Sequence, residues 1–209
     1  MKKGFLITFE GIDFSGKSAQ AQLLRDRLTT LNVPVLFLRE PGGTEISEKI
    51  RDVLLDTQHT KMSAKTELLL YAAARAQIVM EQIAPSLRDG KTVLCDRYFD
   101  STTAYQGFGR QIDLDFIEKL HTFVTEKISP DITFLIDLEP EEALRRKRAT
   151  NLEKDRLDQE ALEFHKRVRQ GYLQIAETDA NRFVTIDGSQ SVDEIQKKIF
   201  TVTKTRLKL

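Results

Sequence analysis

The sequence predicts an α/β fold: a doubly wound parallel sheet of about five strands flanked by helices, with a phosphate-binding loop and a charged lid. Three observations predict it. Short apolar runs rich in branched and aromatic residues recur along the chain. Longer segments with helix signals separate them. A glycine-containing stretch joins the first run to the first helical segment.

Taken in order, Phe5–Phe9 is the first run, and Gly16–Leu31 follows it with helical apolar spacing that ends at Leu31-Asn32. Val35–Leu38 is the second run. Thr44–Leu55 opens on a threonine after Pro-Gly-Gly. Ser63–Leu87 starts with a Ser-Ala-Lys-Thr-Glu cap region and ends near Gly90. Thr92–Leu94 with Cys95 and Ile132–Leu138 are the third and fourth runs, and Phe183–Ile186 is a weaker fifth. Leu157–Thr178 reads as a long amphipathic helix, and Ser191–Leu207 closes the chain. The runs are continuous rather than alternating, as expected of strands covered on both faces. Strand and helix in alternation, joined by right-handed crossovers, make a parallel sheet. Glu139–Asp155 interrupts the alternation; dense in charge, it reads as an exposed helix–turn or a lid. No repeat, low-complexity tract or linker divides the chain, so the expectation is a single domain over residues 1–209 with a lid at about 140–157.

Composition narrows the partners. A chain of 209 residues with 40% hydrophobic content can bury one sizeable core. Lys plus Arg and Asp plus Glu both total 32, and a balanced charge disfavours non-specific nucleic-acid or membrane binding. The lone Cys95 sits in an apolar run, which suits a reducing compartment. Lys2 and Lys3 precede apolar residues, yet Glu10 ends that run after about five residues, far short of the ~20 that span a bilayer. A soluble, cytoplasmic protein is expected, with no nucleic-acid or membrane partner.

Gly11-Ile-Asp-Phe-Ser-Gly16-Lys17-Ser18 fits the G-x-x-x-x-G-K-[ST] pattern between a strand and a helix. Its glycines let successive N–H groups point at phosphate oxygens, and the helix that follows starts at the phosphate with its positive dipole end. Lys17 would reach the β- and γ-phosphates and the Ser18 hydroxyl would coordinate Mg²⁺. The pattern establishes nucleotide binding without separating kinases, GTPases, motors and regulators. A guanine-reading Asn-Lys-x-Asp does not occur, and one small domain suits a small-molecule acceptor.

Two further motifs fall at the ends of the second and third strands, where open α/β sheets bind ligands: LREPGGTEISEKIR (Leu38–Arg51) and LCDRYFDSTTAYQG (Leu94–Gly107). Between them, LLLYAAARAQ carries Tyr71 and Arg75 one turn apart on one helix face. By themselves they read equally as an aromatic platform with a donor fork or as a core aromatic with a solvated charge.

The phosphate loop, REPGG, the Tyr71/Arg75 helix, DRY and TAYQG occur in the order and spacing of thymidylate kinases, and the chain resembles that family over essentially its whole length, through DRLDQE to the C-terminal helix. The resemblance implies transfer of the γ-phosphate of ATP·Mg²⁺ to dTMP, giving dTDP. It implies an ATP site on Gly11, Ile12, Asp13, Phe14, Ser15, Gly16, Lys17, Ser18 and Ala19. Asp13 would contact the sugar 3′-hydroxyl and help to organise the metal; Arg39 and Arg97 would hold the acceptor phosphate, a task that suits guanidinium forks. Tyr71 takes the place of the aromatic that stacks on thymine, and Arg75 would donate to a base carbonyl. Thr102 and Gln106, four apart so that one helix face could present both, fall where side chains meet the base. Tyr105 matches the tyrosine beneath the deoxyribose, and Arg51 is a base-side candidate. Asp96 would act through magnesium, with Ser18, or by holding Arg97. Asp187–Ser191 is a region for adenine. Thymidylate kinases are typically homodimers, so a homodimer is expected.

Arg145 to Arg148 is a run of four basic residues. Phosphoryl transfer depends on positioning and on stabilising spreading negative charge, which an arginine supplies. The family carries that arginine either in the phosphate loop or on the lid. Phe14 occupies the loop position here, so the lid is implied, with Arg146 and Arg148 the best matches and Thr150 where a third often stands. Two residues apart, they cannot both face one phosphate from a regular helix: either the lid is irregular or one of them is catalytic, and Arg145 with Arg148 remains a pairing. His59, His121 and His165 show no metal spacing and are assigned no chemistry. Rival readings are a kinase for dUMP, dCMP or AMP, a non-catalytic nucleotide-binding regulator, and a structural or nucleic-acid-binding protein.

Overall fold

The structure, a computed structural model, describes residues 4–150, 156–157 and 160–209. Strands β1 (Phe5–Glu10), β2 (Val35–Arg39), β3 (Thr92–Asp96), β4 (Ile132–Asp137) and β5 (Phe183–Asp187) form one sheet in the order β2-β3-β1-β4-β5. Every neighbouring pair is parallel, with Ile7 of β1 opposite Leu94 of β3 on one side and Ile132 of β4 on the other. From β1 the chain goes to the edge strand β2, returns to β3 beside β1, and then crosses to β4 and β5 on the other side, so the loop after β1 opens at the point where strand order reverses, the place where such sheets bind ligands.

Both faces of the sheet are covered, which is why the strands read as unbroken apolar runs. Successive side chains point to opposite faces. Ile7, Phe9, Phe134 and Ile136 pack on Leu24 and Leu28 of α1 (Lys17–Thr30) and on Ile195 and Ile199 of α9 (Val192–Leu207). Leu6, Val93 and Cys95 meet Ile78, Val79 and Ile83 on the other face, where Leu135 also joins Phe164, Val168 and Tyr172 of α8 (Leu162–Thr178).

The cap expected at Ser63 is present: it accepts from Thr66 N–H ahead of α3 (Ala64–Ile78). Thr44 likewise accepts from Ser47 N–H ahead of α2 (Glu45–Leu55), and Ser191 forms a reciprocal box with Glu194 ahead of α9. Several helices differ from expectation. The segment predicted as one helix to Leu87 widens after α3 into a π-turn, Val79–Ile83, before α4 (Ala84–Arg88). Pro85 lies at the second position of α4 and has no N–H to return to the preceding turn. After α5 (Phe99–Thr102) a second π-turn covers Thr103–Gly109. Helix α6 (Leu114–Val124) was not anticipated: Ile117, His121 and Val124 face inward while Leu114, Phe116 and Phe123 stay exposed, which blurs the apolar period. The charged interruption contains a regular helix, α7 (Pro140–Arg148). Helix α8 begins at Leu162 rather than Leu157, because Arg156 N–H is bonded to Leu55 O at 3.2 Å and Ala161 is extended. Residues 151–155 of the expected lid, and 158–159 of DRLDQE, lie outside the described residues. Among the described residues no helix is long and apolar enough to cross a membrane.

Candidate active site

The loop between β1 and α1 is shaped by two positions where φ is positive. At Gly11 (φ +139°) an added Cβ would lie 2.5 Å from Ile136 O, so the loop presses against β4 there. Gly16 (φ +97°) faces open space on the side where α1 begins. Helix α1 has no side-chain cap and no acidic residue in its first turn. Its first N–H groups and its positive end are therefore directed at the loop mouth, the arrangement that receives an anion. Lys17 is largely buried beside the loop, its Nζ 3.7 Å from Asp13 Oδ1. Burial and the charge of Arg97 push its pKa down, against the pull of Asp13, Asp96 and Glu10.

Behind the loop, DRY closes a charge network. Arg97 takes a left-handed backbone conformation (φ 71°) that turns its side chain under the loop. Its Nη2 bonds Asp13 Oδ1 at 2.5 Å and the Tyr105 hydroxyl at 3.0 Å; its Nη1 bonds Gly11 O at 3.1 Å and the Tyr172 hydroxyl at 3.0 Å. Tyr105 donates to Asp13 Oδ2 at 2.8 Å. Burial would raise the Asp13 pKa, but Arg97, Lys17 and Tyr105 outweigh it and hold the carboxyl well below the usual range. Glu10 behaves oppositely. Fully enclosed, it accepts from Tyr98 N–H at 2.7 Å and from the Tyr172 hydroxyl at 2.8 Å, and burial, reinforced by Asp100, pushes it up to about 8.

A cleft of about 550 Å³, counted to its open mouth, adjoins this network. Asp13, Arg97 and Tyr105 line its inner end, and Glu40, Arg51, Tyr71, Arg75, Ser101 and Gln106 line much of the rest. Arg75 is almost wholly buried and strapped in place: Nε to Glu40 Oε2 at 2.7 Å, Nη1 to Thr102 Oγ1 at 2.7 Å, Nη2 to Tyr98 O at 3.0 Å. Those bonds use three of its five N–H groups, leaving two. Glu40 Oε1 is buried without a hydrogen-bond partner, as is Asp96 Oδ1.

The remaining predicted residues are placed as follows. Thr102 stands behind Arg75, and the cleft wall at that point is Ser101. Thr102 and Gln106 both face α3, although a π-turn begins between them at Thr103: Thr102 bonds Arg75 and Gln106 bonds Glu67. Arg39 is turned to Glu48 (3.1 Å to both oxygens) and Pro41 O (3.0 Å) outside the cleft, whereas Arg51, at 3.1 Å from the same Pro41 O, lines it. Asp96 ends β3 close to the loop, and the bonds of Arg97 go to other partners. Ser18 is exposed at the start of α1 and Phe14 lines a small pocket with Leu144, Lys147 and His165.

On α7 the four basic residues diverge. Arg146 reaches back to the loop, Nη1 3.5 Å from Ser15 O, and its Nη2 bonds Gly188 O at 2.9 Å, within the stretch expected near adenine. Arg145 is exposed and clasped by both oxygens of Glu142 at 2.6 and 2.8 Å. Arg148 is exposed at the helix end. The helix is regular through Arg148, so Arg146 and Arg148 leave it in different directions. Among the described residues no group of three or more His, Cys, Asp or Glu could hold a metal.

Five residues described at this site went unread in the sequence: Glu10, Glu40, Glu67, Ser101 and Tyr172. Glu67 had a signal, since Glu67, Tyr71 and Arg75 are spaced by fours along one face of α3. Tyr172 had none, as it is brought in by α8 from far along the chain.

Comparison with known proteins agrees with this geometry. The family model described as thymidylate kinase matches residues 9–199. The crystal structure of a thymidylate kinase from Ehrlichia chaffeensis resembles this one with a TM-score of 0.79 at 34% sequence identity, over 97% of this chain and 99% of that one.

Proposed function

The chain belongs to the thymidylate kinase family, ATP-dependent kinases of a nucleoside monophosphate, and on that premise we propose how its residues divide the work. The γ-phosphate of ATP rests in the loop Gly11–Ala19, with Lys17 on the transferred group. dTMP occupies the cleft. Tyr71 stacks on thymine, Arg75 donates to a base carbonyl with its two remaining N–H groups, and Gln106 completes the base wall. Arg97 and Arg51 face the acceptor phosphate side, while Arg39 supports the wall through Pro41. Tyr105 lies under the deoxyribose and Asp13 takes the 3′-hydroxyl. The single observation that carries this reading is the continuity of loop and cleft: Asp13, Arg97 and Tyr105 belong to both, so donor and acceptor phosphates meet at one buried, charge-balanced point.

The acceptor oxygen is already ionised at neutral pH, so attack needs no general base; positioning and charge stabilisation suffice. Arg146 is the lid arginine that this reading takes as catalytic, because it alone of the three candidates turns back to the loop. Ser18 and Asp96 fit the family's Mg²⁺, given the partnerless buried Oδ1 of Asp96 and the habit of this ion to take few protein ligands beside phosphates and water. When bound, the ion would neutralise charge on the phosphates.

Two further readings belong here. Helices α3 and α6 pack together, and Leu69, Met80, Phe116 and Phe123 on and beside them are exposed, which supports a homodimer through that face. The buried free thiol of Cys95 and the use of ATP support a cytoplasmic enzyme. The test of function is ADP release with ATP·Mg²⁺ against dTMP, dUMP, dCMP, dGMP and AMP. A strong preference for dTMP is expected, with incomplete rejection of dUMP because one methyl separates the bases. Dominant turnover of another monophosphate would overturn the cleft assignment, and none at all with ATP bound would make the chain a regulator.

A further inference from the structure

Gln106 meets the cleft from the second π-turn with one end of its amide already taken. Its Nε2 donates to Glu67 Oε1 at 2.9 Å. Glu67 is 1% exposed, and the same carboxylate accepts from Arg110 Nε at 3.1 Å and Nη2 at 3.0 Å, while Arg156 Nη2 lies 2.6 Å from its Oε2. Burial would raise the Glu67 pKa, but the bonds from Arg110, Gln106 and Arg156 outweigh it and hold the group ionised. An ionised carboxylate only accepts. The end of Gln106 that faces it must therefore be the NH₂, and the carbonyl oxygen is the end left for the cleft that Gln106 lines.

We propose that Glu67 is a specificity-determining positioning residue: it holds the Gln106 amide one way round, so that the cleft offers the base a hydrogen-bond acceptor. An acceptor suits the imide N–H of thymine and opposes cytosine, whose ring nitrogen at that position is itself an acceptor. The inference rests on the reading of the cleft as the base site. An amide is nearly symmetric in shape, so without a fixed neighbour it turns over and offers NH₂ instead. Discrimination then comes from a repulsive pairing against the wrong base as much as from attraction to the right one. Glu67 also ties the base wall to the far side of the lid: Arg156 Nε donates to Leu54 O at 3.0 Å and Arg110 Nη2 meets Glu160 Oε1 at 2.6 Å.

The test is Glu67→Gln, with dTMP and dCMP affinities measured by calorimetry without ATP, and kcat and KM for both. Two arginine donors at 3.0 and 2.6 Å meet Oε2 and one, Arg110 Nε at 3.1 Å, meets Oε1, so the substituted amide keeps its oxygen at the Oε2 position, turns its NH₂ on Gln106 and forces that side chain to reverse. The expected result is a fall of roughly tenfold or more in the dTMP-to-dCMP affinity ratio, with dCMP bound more tightly than by the parent enzyme. Glu67→Asp keeps the charge for the arginines but withdraws it from Gln106 by one methylene; it gives a smaller fall in the same ratio and serves if the first variant does not fold. An equal loss for both nucleotides, or an unchanged ratio in a folded variant, would overturn the role of Glu67. A parent enzyme that binds dTMP and dCMP alike would overturn the cleft reading itself, and the inference with it.

Discussion

Arg146→Ala removes the guanidinium that leans from α7 over the loop, 3.5 Å from Ser15 O. For a phosphate bound at the loop mouth, taking a separation of ~4 Å from that charge, two unit charges attract by ~4 kcal/mol at an effective dielectric constant of 20. The attraction grows as charge spreads over the transferred group, so it is expressed chiefly in the transition state. At 1.36 kcal/mol per tenfold, kcat should fall by about a thousandfold, the lower end of what an arginine supplies in related nucleotide hydrolases. The assay is ADP release at saturating ATP·Mg²⁺ and dTMP, with dTMP affinity measured separately. That affinity should hold, because Arg146 does not line the acceptor cleft. Arg145→Ala is the matched control: an exposed arginine engaged with Glu142 should cost less than about twofold. A kcat for Arg146→Ala within tenfold of the parent, or a thousandfold loss in Arg148→Ala alone, would refute the assignment.

Lys17→Ala should lower kcat by at least ~10²-fold; near-normal kcat in steady-state assays would defeat the loop reading. Glu10 gives a pH signature. Its folded pKa of about 8 lies above the ordinary value of 4.5, so between those limits the folded protein retains a proton that the unfolded chain has released. Stability from this group is complete below the lower limit and declines as pH rises toward the upper one. Thermal melts from pH 5 to 8 should therefore slope downward more steeply for the parent than for Glu10→Gln, and parallel curves would contradict it.

The strands, the phosphate loop and the helix caps were legible because each is a local statement: an apolar run, a glycine spacing, a hydroxyl ahead of a helix. The acceptor side was legible only by residue type. REPGG offered an arginine, but whether Arg39 or Arg51 faces the cleft depends on Glu48, which draws Arg39 away from it. Thr102 and Gln106 both turn toward α3, but that Arg75 takes up Thr102 while Gln106 lines the cleft depends on partners far away in sequence. Glu67 and Tyr172 act through partners far away in sequence, Gln106 and Arg97, and no pattern within a window of a few turns contains such pairs. The regular winding of α7 sends Arg146 and Arg148 in different directions and brings Arg146 to the loop, a placement that the spacing of the letters had left open.

The central place of β1 in the sheet also governs how the chain is made. Its two neighbours are encoded much later, pairing Phe5 with Thr92 and Ile7 with Ile132. At synthesis rates of about 5–20 residues per second, the first strand waits roughly 4–17 s for β3 to be translated, and longer for β4. Throughout that interval Phe5–Phe9 is an apolar segment with both edges unpaired, and the glycine loop behind it has no scaffold. Phosphate binding is thus a late event in the birth of this molecule, and a nascent chain arrested before β4 would present β1 to the cell with an edge unpaired.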